Sequence, residues 1–236
     1  MLSETSNRPE ISMTAIFAYV KGGCAIIAAD TLRVDVMKLF PPQTVKKVFS
    51  WAGCILFAAA GNGPRLERLA AAVISEQGSS SPDEIGFLAA FHKHQAAHYA
   101  AATSGTSLVT KVPGLSQGSY LVAVPELNGV PAHLFELDFA TGCQTSLNSH
   151  SWAQGTDPSA FQVIAKSVLA NYPAGAAIPG DLWGSECIRQ AISLHPNAVG
   201  LPFEVGISKK SVNGSHSAQM TRHSSHPTTG DPTFEI

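Results

Sequence analysis

Two apolar segments near the start of the chain, joined by a pair of glycines, constrain the fold most. Residues 14–20 read Thr-Ala-Ile-Phe-Ala-Tyr-Val, and residues 24–29 read Cys-Ala-Ile-Ile-Ala-Ala. The Gly22-Gly23 pair between them is typical of a β-hairpin, because glycine adopts the backbone conformations that tight turns require. Neither segment alternates between apolar and polar residues, which indicates strands buried on both faces. The sheet that contains this hairpin must therefore be covered on both sides.

The rest of the pattern groups strands with pairs of helices. After the hairpin the pattern predicts two strands and two helices, then two more strands and two more helices, and finally one strand. Two packed sheets with helices outside them would bury the apolar strands. The predicted strands span residues 46–50, 54–60, 119–124, 133–138 and 203–207, and the predicted helices begin at Pro64, begin at Pro82, span 158–171 and span 180–194.

Local signals mark two of the boundaries. Ser81 is placed to cap a helix with Pro82 in its first position, and Glu84 stands where a capping box requires an acidic residue. This helix is expected to run to about Ala102. An Asn-Gly pair at residues 128–129 predicts the turn between two strands.

The length and the charge composition of the chain favour a single domain without a nucleic-acid partner. The chain has 236 residues, enough to bury a sizeable core. Its 15 basic and 17 acidic residues give a formal net charge of -2, and the sequence has no clustered basic face of the kind that binds nucleic acid. Charged residues make up 14% of the chain, which suggests that other subunits cover part of the surface.

The termini and the cysteines favour a soluble, cytoplasmic protein. Residues 1–12 lack the basic and apolar regions of a secretory signal, and no apolar run approaches the roughly 18 residues of a membrane span. The 4 cysteines are widely separated and form no CxxC pair, which favours a reducing compartment. The predicted organisation is an N-terminal extension over 1–13, one domain over 14–208 and a disordered tail over 209–236.

Four residues at the ends of predicted strands carry the candidate chemistry. Thr14 opens the first strand and Asp30 ends the second, while Lys47 opens the third and Gly61 ends the fourth. Because hairpin pairing brings strand ends together, Thr14, Asp30 and Lys47 can converge at one edge of a sheet. A lysine and an aspartate buried there need each other, since an isolated buried charge is too costly.

Three segments of the N-terminal half resemble a known family. TAIFAYVKGGCAIIAAD, KKVF and AAAGNG with a helix behind it are similar to proteasome β-type subunits. The resemblance is to the bacterial branch, which includes the HslV protease, and is nearest to the betaproteobacterial proteasome homologue. It is specific over residues 14–72 and extends by element order to about residue 207. It implies the N-terminal nucleophile hydrolase fold, an α+β four-layer αββα sandwich with two antiparallel sheets between helix layers.

The resemblance also implies roles for individual residues. Thr14 would be the nucleophile, with Asp30 and Lys47 as its supporting pair. Gly61 would supply the backbone N–H of the oxyanion hole. Ala59 would line the primary specificity pocket and leave room for a bulky side chain, although it is equally well explained as a small strand residue.

The choice between the two adjacent lysines depends on spacing. Counting forward from Asp30 favours Lys46, whereas the separation from Gly61 and the following hydrophobic-Phe context favour Lys47. A loop tolerates an insertion more easily than a strand does. Lys47 is therefore the predicted catalytic lysine.

A terminal threonine can act as its own base. Its hydroxyl is a poor nucleophile until a base removes the proton, and a free α-amine, with a pKa of about 7.7–8, is partly neutral at neutral pH. Residues 1–13 must therefore be absent from the active protein. Family members usually cut themselves after a glycine, whereas Met13 precedes Thr14 here. Translation from Met13 followed by removal of the methionine is the simpler hypothesis.

The later family motifs are altered in this chain. Where the family has Gly-Ser-Gly, the chain reads Gln-Gly-Thr-Asp, and Thr156 either replaces the serine hydroxyl or caps the helix at Pro158. The family's Asp-x-x-Ser-Gly motif is not recognisable at residues 195–200. Leu32 stands where the family commonly has arginine.

A histidine pair offers an alternative site. His94 and His98 lie one helical turn apart and could hold a metal. No glutamate accompanies them in an HExxH arrangement, so a solvated polar face is the better interpretation. Neither a metal nor a cofactor is expected.

The predicted function is a threonine endopeptidase that cuts peptides or unfolded proteins inside a homo-oligomeric double ring. The sequence contains no ATPase segment, so an unfoldase partner would be a separate protein. Two alternatives remain open. The altered motifs favour a non-catalytic structural subunit, and a third possibility is an N-terminal nucleophile amidohydrolase that acts on small amides.

Overall fold

The computed structural model describes residues 14–33, 43–61, 63–103, 118–173, 176–211 and 213–225. The predicted N-terminal extension over 1–13 and the part of the predicted tail from residue 226 lie outside these residues.

Strands and helices follow one another in nearly the predicted order. The strands are β1 (Ala15–Lys21), β2 (Cys24–Asp30), β3 (Leu32–Arg33), β4 (Gln43–Thr44), β5 (Val48–Trp51), β6 (Ile55–Gly61), β7 (Gly118–Val124), β8 (His133–Asp138), β9 (Gln144–Leu147), β10 (Ser151–Gly155), β11 (Phe203–Lys210) and β12 (His216–His223). The helices are α1 (Gly63–Ser75), α2 (Glu84–Thr103), α3 (Pro158–Ala170) and α4 (Gly180–Leu194).

The strands form two main sheets, and the described part of the chain is α+β with two antiparallel sheets and four helices. The first sheet has five strands in the order β10-β1-β2-β11-β12, and the second has five in the order β5-β6-β7-β8-β9. A short two-stranded sheet pairs β3 with β4. The arrangement is compatible with a two-sheet sandwich.

The predicted hairpin forms the centre of the first sheet. Ile16 pairs with Ala29 and Lys21 pairs with Cys24, and Gly22 adopts a positive φ of 53° in the turn. On its other side β2 pairs with β11, with Phe203 opposite Asp30. The sheet therefore buries β2 between two neighbouring strands.

Alternate residues of β1 pack in different apolar clusters. Ile16, Ala18 and Val20 lie in a cluster that also contains residues of β5, β6, β7 and β8 from the second sheet. Phe17 and Tyr19 lie in a cluster with residues of α3 and α4. A third cluster combines residues of the second sheet with residues of α1 and α2. The hairpin is thus buried on both faces, as its lack of alternation predicts.

The predicted start of the second helix is wrong by two residues. Ser81 and Pro82 precede the helix, which begins at Glu84. The carboxylate of Asp83 accepts a hydrogen bond from the backbone N–H of Gly86 over 2.9 Å. Asp83 therefore satisfies one of the free N–H groups of the first turn, and the predicted capping box does not form.

The prediction of a disordered tail over 209–236 is also wrong for part of its length. β12 pairs with β11 along its whole length, from Phe203 opposite His223 to Lys210 opposite His216. β12 is an edge strand whose residues are mostly exposed or half-buried, so its sequence lacks the apolar run that predicts a buried strand. The short polar strands β9 and β10 were missed for the same reason.

Side chains cover backbone groups at two sheet edges. At β10, the amide of Gln162 accepts from the N–H of Ala153 over 2.8 Å and donates to the carbonyl of Ser151 over 3.0 Å. At β5, the amide of Gln77 donates to the carbonyl of Ser50 over 2.9 Å. These contacts satisfy polar backbone groups that would otherwise lack a partner strand.

None of the helices in the described ranges combines the length and the apolar character needed to cross a membrane.

Candidate active site

Thr14, Asp30 and Lys47 converge around one buried ammonium group. The Nζ atom of Lys47 donates to Oγ1 of Thr14 over 3.0 Å and to Oδ1 of Asp30 over 3.0 Å. It also donates to the carbonyl oxygen of Leu32 over 2.9 Å. The three donors of the ammonium group therefore have three acceptors. Of the two candidate lysines, Lys47 is the one that reaches Thr14, while Lys46 lies over the ring of Phe49.

The hairpin register explains why Thr14 and Asp30 meet. Ile16 pairs with Ala29, so the residues just before β1 lie beside the end of β2. The backbone N–H of Ala15 donates to Oδ1 of Asp30 over 2.9 Å, which ties the start of β1 to the carboxylate. Lys47 arrives from the chain that leads into β5 of the second sheet, one residue before that strand begins.

The electrostatic environment of Asp30 is set by its burial. Its side chain is 0% exposed and that of Lys47 is 8% exposed. Burial raises the pKa of the Asp30 carboxyl, and the charge of Lys47 and hydrogen bonds from the backbone N–H groups of Ala15 and Gly200 oppose that rise. A buried carboxylate with these partners holds the lysine ammonium beside the threonine hydroxyl.

Thr156 lies against the backbone of Thr14. Its Oγ1 accepts from the backbone nitrogen of Thr14 over 3.1 Å, and its own N–H donates to the Thr14 carbonyl over 2.9 Å. The alternative that Thr156 caps the third helix is wrong, because Asp157 is the N-cap and accepts from the N–H of Ala160 over 3.0 Å. The hydroxyl oxygen of Thr156 thus contacts the nitrogen of the candidate nucleophile.

Gly155 permits this close approach. Its φ is 137°, in the region that favours glycine, and a Cβ atom there would lie 1.8 Å from the carbonyl oxygen of Thr14. Sequence reasoning noticed this residue as part of an altered motif but assigned it no role. A glycine at a strand end was the available signal.

Gly61 and Ala59 lie at the end of β6, next to the lysine. The N–H of Ala59 donates to the carbonyl of Lys47 over 3.3 Å, and Gly61, two residues further on, has a φ of 127°. Ala59 is 7% exposed and packs in the cluster that includes α1 and α2. Its role in a specificity pocket and that of Gly61 in an oxyanion hole stay predictions.

Glu204 is a site neighbour that sequence reasoning missed. It lies on β11, paired with Ala29, and its Oε2 accepts from the N–H groups of Lys47 and Val48 over 3.0 and 3.2 Å. The segment at 195–200, where the family motif is not recognisable, contributes through the backbone N–H of Gly200, which helps to lower the pKa of the Asp30 carboxyl against the effect of burial. Backbone contacts of this kind leave no residue-type signal in a sequence.

His94, one member of the histidine pair on α2, belongs to a polar cluster around Glu76. Nε2 of His94 lies 3.1 Å from Oε1 of Glu76, which Lys93 also contacts over 2.9 Å. The rings of His94 and His98 are 6.5 Å apart. Over the described ranges, no group of three or more His, Cys, Asp or Glu residues is placed to hold a metal ion.

Comparison of the sequence with models of protein families finds no match, and comparison with curated proteins finds none either.

Proposed function

We propose that this chain is an N-terminal threonine peptidase of the proteasome β type. The observation that carries the proposal is the Lys47 ammonium, which lies 3.0 Å from both the Thr14 hydroxyl oxygen and the Asp30 carboxylate. These are the residues that the resemblance assigns to nucleophile and supporting pair. A buried lysine that donates to a threonine hydroxyl is an arrangement suited to nucleophilic catalysis.

The packing supports the corresponding fold. One apolar cluster joins the two sheets, a second joins the first sheet to α3 and α4, and a third joins the second sheet to α1 and α2. We infer the layer order αββα from these three clusters. The N-terminal nucleophile hydrolase fold has this layer order. In this chain the candidate nucleophile, Thr14, immediately precedes β1, an inner strand of the first sheet.

The chemistry begins at the nitrogen of Thr14. In the full chain this atom is a peptide nitrogen, and in a chain that begins at Thr14 it is an α-amine. The neutral amine takes the proton of the Thr14 hydroxyl while Oγ1 forms a bond to the peptide carbonyl carbon. Lys47 stabilises the charge on Oγ1 through its 3.0 Å contact, and Thr156 holds the amine through its 3.1 Å contact.

The tetrahedral intermediate then collapses. The backbone N–H of Gly61 is the proposed donor to the oxyanion, a contribution of about 10²–10³ in rate. The bond from carbon to the leaving nitrogen breaks, and the protonated amine of Thr14 returns its proton to that nitrogen. Water, activated by the same amine, hydrolyses the resulting ester and releases the second product.

We place this reaction inside a ring of identical subunits, which restricts substrates to peptides or unfolded chains. The supporting observation is the sparse charge of the chain, 14% of its residues. A separate unfoldase would deliver folded proteins.

The proposal is tested with a chain expressed from Met13, so that removal of the methionine leaves Thr14 first. A peptide epoxyketone reacts with both the hydroxyl and the amine of a terminal threonine, and mass spectrometry locates the adduct. We expect labelling of Thr14 in the trimmed protein. Thr14→Ala and a chain that retains residues 1–13 are the matched controls, and both should stay unlabelled.

Other outcomes would identify the alternatives. Correctly trimmed, folded protein without an adduct would favour a structural subunit and contradict the peptidase. Hydrolysis of small amides with peptides left intact would favour an amidohydrolase.

A further inference from the structure

The position of the Lys47 ammonium depends on how the two sheets are held together. Thr14 and Asp30 belong to the hairpin of the first sheet, whereas Lys47 immediately precedes β5 at the edge of the second. A shift of the β5 entry relative to the hairpin would move the ammonium away from the threonine hydroxyl. A contact between the sheets at this point would therefore help to set the geometry of the site.

Glu204 makes such a contact. It lies on β11, next to β2 in the first sheet, where it pairs with Ala29 one residue before Asp30. Its neighbours Phe203 and Val205 pack in the cluster with α3 and α4, so the alternation of a strand directs the Glu204 side chain toward the second sheet. There Oε2 accepts from the N–H groups of Lys47 and Val48.

The contact acts on the backbone at the lysine itself. Val48 lies on an edge strand, where Glu204 accepts the hydrogen bond that a neighbouring strand would otherwise receive. The N–H of Lys47 is bound by the same oxygen over 3.0 Å, and its carbonyl accepts from Ala59 over 3.3 Å. The N–H and the carbonyl of Lys47 are thus both hydrogen-bonded, so the backbone from which its side chain extends is held in place.

We propose that Glu204 is a positioning residue that fixes the backbone of Lys47 so that its ammonium reaches Thr14 and Asp30. This inference rests on the proposed function, because it concerns the geometry of the same site. In this proposal Glu204 acts through the backbone of Lys47, which it contacts, and takes no direct part in the reaction. Misplacement of a catalytic group by about 1 Å lowers a rate by about 10²-fold, so the positioning role should be visible in kinetics.

Glu136 offers a matched control. It also bridges the sheets, since Oε1 of Glu136 on β8 accepts from the amide of Gln154 on β10 over 2.6 Å. Glu136→Ala therefore removes a carboxylate between the sheets without touching Lys47. Glu204→Gln keeps one acceptor oxygen for the two N–H groups, whereas Glu204→Ala removes both oxygens.

The experiment compares kcat and KM for peptide hydrolysis in the trimmed protein and these three variants. We expect Glu204→Ala to lower kcat by about 10- to 100-fold with KM within about twofold. Glu204→Gln should recover most of that loss, and Glu136→Ala should stay within about twofold of the unsubstituted protein. Equal losses in Glu204→Ala and Glu136→Ala, or no rescue by glutamine, would overturn the inference.

A second measurement separates this inference from the proposed function. Lysine labelled with ¹⁵N reports the environment of the Lys47 ammonium by NMR in the folded chain, whether or not the protein is a peptidase. We expect the Lys47 resonance to move in Glu204→Ala and to stay in place in Glu136→Ala. An unlabelled Thr14 with a moved resonance would overturn the peptidase but support the positioning role. A resonance that is the same in both variants would overturn the positioning role.

Discussion

The Lys47 ammonium donates to the hydroxyl oxygen of Thr14 over 3.0 Å, although the two residues are 33 positions apart and lead into different sheets. As an acceptor toward Lys47, the hydroxyl can direct its own hydrogen elsewhere. The nitrogen of the same threonine is the base that we propose for that proton. The contact therefore orients the hydroxyl, and in the proposed reaction it would also stabilise the charge that develops on the oxygen.

Substitution of Lys47 should affect both activity and stability. Lys47→Met leaves the Asp30 carboxylate buried without its cation, and breaking a buried pair from one side lowers the free energy of unfolding by about 3–5 kcal/mol. Labelling of Thr14 by an epoxyketone should fall below detection. The neighbouring Lys46, which lies over the Phe49 ring, is the control, and Lys46→Met should change the unfolding free energy by no more than about 1 kcal/mol.

The stability of Lys47→Met should also depend on pH. Burial raises the pKa of Asp30, and Lys47 is the largest influence that opposes it, so Lys47→Met should raise this pKa further. The folded state then binds more protons than the unfolded state above the unfolded pKa of about 3.9, and stability falls as pH rises through the folded pKa. Urea unfolding from pH 4 to 8 should show a steeper fall in Lys47→Met than in the unsubstituted protein. Parallel curves would contradict the role of Lys47 in charge compensation.

Substitutions of the neighbouring residues Thr156 and Asp157 should have different effects, the first on activity and the second on stability. Thr156→Val removes the oxygen that accepts from the Thr14 nitrogen and should slow labelling by about 10- to 100-fold, whereas Thr156→Ser should stay close to normal. Asp157→Ala removes the cap of α3 and should lower the unfolding free energy by about 1 kcal/mol. Labelling kinetics and thermal unfolding measure the two effects. A full rate in Thr156→Val would remove this residue from the mechanism.

Gly155→Ala should displace the strand that holds Thr14. The added Cβ would lie 1.8 Å from the Thr14 carbonyl oxygen at a φ of 137°, so we expect a loss of more than about 3 kcal/mol in unfolding free energy. Gly129 also has a positive φ, 79°, but nothing lies within 4 Å of a Cβ there. Gly129→Ala should lose only about 1–2 kcal/mol from backbone strain. Denaturant unfolding measures both variants. Equal losses of unfolding free energy in the two would mean that the structure around Thr14 accommodates the added Cβ at residue 155 without cost.

The strand found in the predicted tail leads to a test with two histidines. His223 on β12 is buried and stacks on Phe203, with ring centroids 4.7 Å apart. His223→Ala should lower the unfolding free energy by about 1–3 kcal/mol, because it removes a packed ring from the core. His216, at the other end of β12 and only partly buried, is the control, and its alanine variant should lose less. If neither variant lowers the midpoint of thermal unfolding, β12 contributes little to the stability of the fold.

The parts of the fold that sequence reasoning predicted are those that follow from apolar patterning. The buried hairpin at 14–30 and the helix at 180–194 were confirmed because their patterns are long and consistent. β9, β10 and β12 were missed, since an edge or exposed strand needs few apolar residues. The meeting of Thr14, Asp30 and Lys47 was predicted from strand-end positions and is observed.

The rest of the site depends on contacts that residue identity does not specify. The acceptor at Leu32 is a backbone carbonyl, and any residue would supply it. Glu204 lies 157 positions from Lys47, and a single glutamate in a strand has no local feature that identifies its partner. Thr156 was ambiguous because a hydroxyl before a helix fits a cap equally well, and only the neighbouring Asp157 decides it.

Side chains from other elements cover one edge of each main sheet, and this limits how copies of the chain can meet. Gln162 of α3 covers β10, and Gln77 and Glu204 cover β5. A strand from another molecule would have to displace these side chains before it could join the ladder at either edge. Strand-by-strand growth into fibrils is therefore disfavoured at both places. An oligomer that uses the β10 or the β5 side of the molecule would therefore meet through side-chain surfaces, whose shape can select one geometry, whereas β12 and β9 form the other two edges of these sheets.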